Sequence, residues 1–229
     1  MKQPAALAFD AATDRLCIGA AYMGRVEFAD LEPSRDHTDA VFLHAAAVLQ
    51  KVGCSVAQLD FVACGRGPGS FTGVRVATAA AQSLGFGRSL PVCRVSSLAL
   101  LAATAMRITG AEAVGVCLDA RMDRVYTALY LASPTGPMAF SPDAWVDPRE
   151  CRLPGDSRFA AVGDGWSAWP AMAERHGSRI AALEPALLPS GRELISMAIK
   201  EYQAGNTVRP QDALPEYLGQ QPARPLTAR

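Results

Sequence analysis

Short apolar runs alternate with helical stripes along the 229 residues of this chain. The runs 5–9, 61–64 and 113–118 contain no charged side chain and are typical of buried strands. In the segment 41–52, apolar residues recur at a spacing of 3.6, and Gly53 ends the pattern. Because strands and helices alternate in this way, the sequence predicts an α/β fold.

A glycine-rich junction occupies residues 65–75, between a predicted strand and a predicted alanine-rich helix. It reads Gly-Arg-Gly-Pro-Gly-Ser-Phe-Thr-Gly-Val-Arg. Glycine permits positive φ and close approach of the backbone, and a helix start presents unpaired N–H groups to anions. Phosphate binding is therefore the first hypothesis for this junction.

Each phosphate or nucleophile motif lacks an essential residue here. A Walker A loop needs a lysine, which the junction does not contain, and a dinucleotide fingerprint needs an acid about 20 positions on, whereas the next acid is Glu112. The nucleophile elbow fails around Ser70, because Pro68 and Thr72 stand where glycines are required. What remains is a structural turn, with Ser70 or Thr72 as the helix cap. The turn residues are Gly65, Gly67, Pro68, Gly69 and Gly73.

The chain also contains a weak internal repeat. Phe-Asp-Ala-Ala-Thr-Asp-Arg-Leu around Asp10 matches Leu-Asp-Ala-Arg-Met-Asp-Arg-Val around Asp119, at an offset of 109 residues. Chance is the alternative explanation of this match, because Asp and Ala are common at strand ends, but internal duplication is favoured. Duplication predicts two lobes that face each other across a cleft, divided into 1–105 and 106–229.

Aspartates at strand ends coordinate Mg²⁺ through water in two-lobed ATPases. Such sites also need glycine beside the aspartate, so that the backbone can cradle phosphate. Here Asp10 is followed by Ala-Ala-Thr13, which places side chains where glycine is wanted. We therefore predict a degenerate nucleotide site at Asp10, Thr13 and Asp119.

Composition narrows the function further. The chain has 22 basic and 22 acidic residues and no basic run, which argues against a stand-alone nucleic-acid binder. Its six cysteines lie mostly in apolar runs and predict buried free thiols in a reducing cytoplasm, and no stretch is long enough to cross a membrane.

His37 and His44 lie seven residues apart, about 10 Å along a helix, so they cannot share a metal. No metal site is predicted.

Several segments resemble the TsaB (YeaZ) family, which takes part in bacterial threonylcarbamoyladenosine synthesis. They are 67–75 in the junction, 95–99, 119–126, 10–13, and Pro-Glu-Tyr-Leu at 215–218. The resemblance covers most of the chain and is weakest over 133–209. One departure is Gly219, where family members often have arginine.

The resemblance implies an actin-like (ASKHA) ATPase fold with two duplicated lobes and a degenerate nucleotide site. It also implies a non-catalytic scaffold and activator that pairs with a TsaD-like subunit and a TsaE-like ATPase. That complex transfers a threonylcarbamoyl group to the adenosine 3′ of the anticodon in tRNAs reading A-starting codons. ATP and metal would be used by the partner subunits, tRNA would be held through the complex, and the C-terminal tail would return to the first lobe.

The resemblance further implies that two first-lobe helices form the partner interface, which would also allow a homodimer when the chain is alone. The implied interface residues are His37, Val41, Phe42, Ala45, Ser70, Phe71, Thr72, Val74, Arg75 and Thr78. The alternative is an active ATPase or kinase, or a glycoprotease-like peptidase, of the same fold.

Overall fold

The computed structural model describes residues 3–32 and 37–219, and it describes the side chains of the first helix from residue 41 onward. The strands are β1 (Ala6–Asp10), β2 (Leu16–Tyr22), β3 (Arg25–Leu31), β4 (Phe61–Gly67), β5 (Val92–Ser96), β6 (Ala113–Arg121), β7 (Arg124–Ser133), β8 (Gly136–Ala139), β9 (Ala144–Val146), β10 (Phe159–Val162), β11 (Ile180–Glu184) and β12 (Thr207–Val208). The helices are α1 (His37–Val52), α2 (Phe71–Arg88), α3 (Ser97–Thr109), α4 (Gly165–Ala168), α5 (Pro170–His176) and α6 (Gly191–Gln203).

The strands form two sheets with the same internal order. The first runs β12-β5-β4-β1-β2-β3, and the second runs β11-β10-β6-β7-β8, with β9 paired to β7. In each sheet, the central strand pairs antiparallel with the strand that follows it and parallel with a later one, β4 beside β1 and β10 beside β6. The predicted duplication is therefore confirmed by topology: β3-β2-β1-β4-β5 corresponds to β8-β7-β6-β10-β11.

The layers follow from the alternation of side chains along the strands. Leu7 and Phe9 of β1 face α1 and α2, whereas Ala6 and Ala8 face the opposite layer, which contains α6. Helix α3 lies between the two sheets, with Leu100 in the core of the first and Leu98, Leu101 and Ala105 in the core of the second. Helices α4 and α5 cover the outer face of the second sheet.

Helix α6 and strand β12 pack on the first sheet. Leu194, Ile195 and Ala198 of α6 are buried against β1 and β2, and β12 pairs antiparallel with β5. The division at 105/106 falls inside α3, so the helix that joins the lobes spans it. Within the described ranges, none of the helices is long and apolar enough to cross a membrane.

Candidate partner-binding face and interlobe cleft

Helices α1 and α2 lie side by side and leave an apolar groove of about 370 Å³ between them. Large apolar side chains border it: Phe42 is 48% exposed and Phe71 is 50% exposed, and Leu43 beside them is exposed as well. The ranges 41–50 and 71–86 contain one formally charged residue, Arg75. Exposed apolar surface of this kind marks an interaction site. We call the exposed surface of α1 and α2 the helical face.

The predicted interface residues divide into two groups. Phe42, Ser70, Phe71, Thr72 and Arg75 are exposed on or beside the helical face. Four others are buried within this chain and less than 5% exposed: Val41, Ala45, Val74 and Thr78. They support the helical face from inside. The side chain of His37 lies outside the described residues.

The glycine-rich junction packs against the loop that follows β1. The N–H of Ser70 donates to the carbonyl of Ala12 at 2.7 Å, and a Cβ at Gly69 or Gly73 would overlap the backbone of Ala12 or Ala11. Gly67 has a φ of +90°, and Pro68 follows it in a buried position. The hydroxyl of Ser70 accepts from the N–H of Gly73 and caps α2, as predicted. Glycine is therefore needed in this junction because the chain's own backbone packs closely against it.

Asp10 lies directly beneath this junction and is fully buried. Its carboxylate accepts hydrogen bonds from the Ser97 hydroxyl at 2.6 Å and from the Ala12 N–H at 3.1 Å. A Cβ at Gly65 would overlap the same carboxylate, so only glycine fits there. Burial raises the pKa of Asp10 to about 6, although its two hydrogen bonds lower it in part. Asp10 is therefore a core residue.

A cleft of about 530 Å³ separates the two lobes, and it is lined by Thr13 and Asp119 but not by Asp10. Asp164 borders it from the turn after β10 and accepts from the N–H of Asp119 at 3.0 Å. Burial raises the pKa of Asp164, and the neighbouring Asp119 and Asp14 add to the rise. The Asp119 carboxylate also accepts from the Arg121 side chain at 3.0 Å.

The structure thus separates the three residues predicted for one degenerate site. Thr13 and Asp119 reach the cleft, whereas Asp10 lies under the junction. Among the described residues, no group of three or more histidine, cysteine, aspartate or glutamate side chains is placed to hold a metal ion.

Sequence reasoning missed the role of the segment 213–218, which we call the C-terminal strap. Tyr217 accepts a hydrogen bond from Arg75, and Glu216 forms an ion pair with Arg66 in the junction. Leu218 lines the cleft. The resemblance of Pro-Glu-Tyr-Leu at 215–218 was the signal that could have found this contact.

The fold and these features define a class of protein: a two-lobed α/β protein whose lobes share one strand order and which exposes an apolar helical face. Comparison with known proteins narrows the class. A family model described as TsaD, tRNA N6-adenosine threonylcarbamoyltransferase, matches residues 31–136. The tRNA threonylcarbamoyladenosine biosynthesis protein TsaB of Escherichia coli is 34% identical, over 93% of both chains. The protein of that name from Haemophilus influenzae is 31% identical, over 93% of this chain and 92% of its own.

Solved structures agree with these relatives. YeaZ from Pseudomonas aeruginosa superposes with a TM-score of 0.87 at 34% identity, covering 94% of this chain and 100% of its own. A Pseudomonas aeruginosa protein described as similar to the peptidase YeaZ gives a TM-score of 0.88 at 33% identity, covering 94% and 99%. The chain belongs to the TsaB family, and the resemblance found in the sequence is confirmed.

Proposed function

We propose that this chain is a non-catalytic subunit in the synthesis of threonylcarbamoyladenosine on tRNA. It pairs through the helical face with a TsaD-like subunit and acts with a TsaE-like ATPase. That complex transfers the threonylcarbamoyl group to the adenosine 3′ of the anticodon in tRNAs that read A-starting codons. The observation that carries the proposal is the helical face, where exposed aromatic residues border a groove with a single charge beside it. The reaction in which the chain takes part is inferred from its membership in the TsaB family.

The cleft supports a role without catalysis by this chain. In the first lobe, an Mg²⁺–nucleotide site of this fold needs a strand-end carboxylate that reaches the cleft and a loop that cradles phosphate. Asp10 is buried under Gly65, and the backbone of Ala11 and Ala12 fills the space beside Gly69 and Gly73. These residues do not fit the nucleotide. We therefore expect ATP and metal to be used by the partner subunits, and no cofactor to be bound by this one.

Charge supports an indirect role in tRNA binding. The 22 basic and 22 acidic residues balance, and affinity for nucleic acid depends mainly on neutralising phosphates. We expect tRNA to be held through the complex. The six cysteines are free and buried, which is usual for proteins of a reducing cytoplasm.

The experiment that tests the proposal mixes this chain with the TsaD-like subunit and measures the dissociation constant. Phe42→Ser removes an exposed aromatic residue from the groove, and truncation of an aromatic anchor usually weakens binding by about tenfold or more. Leu183→Ser is the matched control, because Leu183 is 49% exposed on β11 in the second lobe. Both variants should unfold at nearly the wild-type temperature.

Three results would contradict the proposal. Wild-type chain that forms no complex, or tRNA modification that is unaffected when the chain is omitted, would remove the scaffold role. Hydrolysis of ATP or of a peptide by the isolated chain would favour the alternative of an active enzyme. A homodimer that disappears when the TsaD-like subunit is added is consistent with the proposal, because both assemblies would use the same face.

A further inference from the structure

The C-terminal strap follows α2 in the opposite direction. Pro210, just before the strap, packs on Gly85, the Ala213 carbonyl accepts from the Gln82 side chain at 3.3 Å, and Tyr217 reaches Arg75 near the start of the helix. Phe71, Arg75, Gln82 and Gly85 share one flank of α2, because they recur at helical spacing. Thr72, Val76, Ala79 and Ser83 form the adjacent stripe, which lines the groove. The strap therefore borders the helical face directly.

Arg75 is held in one orientation where the strap meets the helix. Its Nε–H donates to the Tyr217 hydroxyl at 2.9 Å, and its Cζ lies 3.5 Å from the centroid of the Phe71 ring. The Phe71 and Tyr217 rings are in turn 5.8 Å apart. Among the described residues, the two terminal amino groups of Arg75 have no hydrogen-bond or ion-pair partner, and the side chain is exposed. The guanidinium thus presents its outer edge to solvent.

The strap is itself fixed by contacts beneath it. The N–H of Glu216 donates to the Arg66 carbonyl at 2.8 Å, and the two side chains form an ion pair. Arg66 also lies 3.8 Å from the carboxylate of Asp143, which accepts from Ser96 at 2.6 Å. Because Arg66 belongs to the junction and Asp143 to the second lobe, both lobes determine where Tyr217 lies. Arg75 is therefore preorganised, and less conformational entropy is lost when it binds.

We propose that the C-terminal strap is a third element of the partner-binding face, and that Tyr217 and Phe71 hold Arg75 to receive a carboxylate of the TsaD-like subunit. This inference rests on the proposed function. An interface that closes over Arg75 removes water from the guanidinium charge, which is costly unless an anion pairs with it. The planar guanidinium matches a carboxylate with two parallel hydrogen bonds.

A protein carboxylate fits this position better than an RNA phosphate. Phe42, Phe71 and Tyr217 surround Arg75 with exposed apolar surface. Phosphate binding generally uses several cations together, whereas Arg75 is the one cation among the residues that line the groove. The partner should therefore present an acidic residue within an otherwise apolar helical surface.

The test measures the affinity of the full-length chain for the TsaD-like subunit at several salt concentrations. Arg75→Ala should weaken binding by about tenfold or more and reduce its salt dependence, because an ionic hydrogen bond is lost. Arg75→Lys should restore only part of the affinity, because lysine lacks the planar fork. Tyr217→Phe keeps the ring and removes the hydroxyl, so it should weaken binding by a smaller factor of about two to five. Arg158→Ala, an exposed arginine of the second lobe, should have no effect.

The outcomes separate this inference from the proposed function. If Phe42→Ser weakens binding while Arg75→Ala and Tyr217→Phe do not, the helical face stands and the role of the strap is wrong. If Arg75→Ala lowers tRNA binding and leaves affinity for the subunit unchanged, the ligand is phosphate and the inference is overturned. Wild-type chain that never binds the subunit removes the proposed function itself. Thermal unfolding of each variant confirms that it is folded.

Discussion

Asp10 and Asp119 hold corresponding positions in the two lobes, yet their surroundings differ. Asp10 is fully buried and bonded to Ser97, whereas the Asp119 side chain is 14% exposed and paired with Arg121 at the cleft. The cause is the helix that follows the fifth core strand of each lobe, β5 in the first and β11 in the second. Helix α3 begins at Ser97, over Asp10. Its counterpart α6 begins beside the first sheet instead, where the Gly191 N–H donates to Asp30 at 2.7 Å.

This difference teaches that a duplicated sequence position need not keep a duplicated role. In the first lobe, the strand-end carboxylate supports the junction and the start of α3. In the second lobe, the corresponding carboxylate stays at the cleft and stabilises the turn after β6. The junction, supported from beneath, then positions α2 so that its exposed side forms part of the helical face.

The largest effect should come from Gly65→Ala, which would place a Cβ on the Asp10 carboxylate. Because the backbone and the buried carboxylate cannot both move aside, we expect a loss of more than about 3 kcal/mol in the free energy of unfolding. Urea unfolding measures it. Gly87→Ala in α2 is the control, because a Cβ there meets nothing within 4 Å. A Gly65→Ala chain as stable as the control would show that Asp10 is not tightly enclosed.

A smaller effect, in the opposite direction, is expected for Asp10→Asn at neutral pH. The folded pKa of about 6 lies above the unfolded value of 3.8, so the folded chain binds the proton more tightly. The stabilisation that protonated Asp10 gives the folded chain is complete below pH 3.8. It is lost as pH rises through 6, and this lowers the free energy of unfolding by an amount on the order of 3 kcal/mol. Asparagine can still bond to Ala12 and Ser97 without a charge. We expect Asp10→Asn to raise the unfolding free energy at pH 7.5 by about 1 to 3 kcal/mol.

The matched control is Asp119→Asn in the second lobe. Its side chain accepts from the Arg121 backbone and side chain in an exposed turn, so we expect a change of about 0.5 kcal/mol or less. Unfolding of both variants from pH 4 to pH 8 gives the comparison. If Asp10→Asn is destabilised equally at all pH values, the charge on Asp10 is not what strains the folded chain.

A smaller effect than that of Asp10→Asn should appear in the second lobe, at His176. Its Nε2 accepts from the Leu153 N–H at 3.1 Å, and its Nδ1 donates to the Met172 carbonyl at 2.8 Å. Burial lowers the pKa of His176 below its usual value of 6.5. The neutral, hydrogen-bonded ring therefore stabilises the folded chain fully above pH 6.5, and this stabilisation is lost as pH falls through the lowered pKa. We expect His176→Gln, which keeps an acceptor, to reduce the acid destabilisation between pH 7 and 5 by about 1 kcal/mol or less. An unchanged pH profile would assign the acid sensitivity to other groups.

Local pattern was enough to predict the elements of the first lobe. The strand before Asp10, α1, α2 and the Ser70 cap all follow from periodicity, glycine and capping residues. In the segment 133–209, the pattern is weaker because short strands and α4 and α5 carry too few residues for a clear period. The predicted interface residues include both exposed and buried side chains for a related reason. Val41 and Phe42 are adjacent on one helix, but only packing shows that the first is buried and the second exposed.

The sequence by itself determined the α/β class, the two-lobed repeat, the capped turn and the family resemblance, because each depends on residues that are close along the chain or on a recognisable motif. Only the tertiary structure decided which strand-end aspartate reaches the cleft and that the C-terminal strap meets α2. Tyr217 and Arg75 are 142 residues apart, and Ser97 and Asp10 are 87 apart. Contacts of such separation arise from how the sheets and helices pack, and no local pattern encodes them.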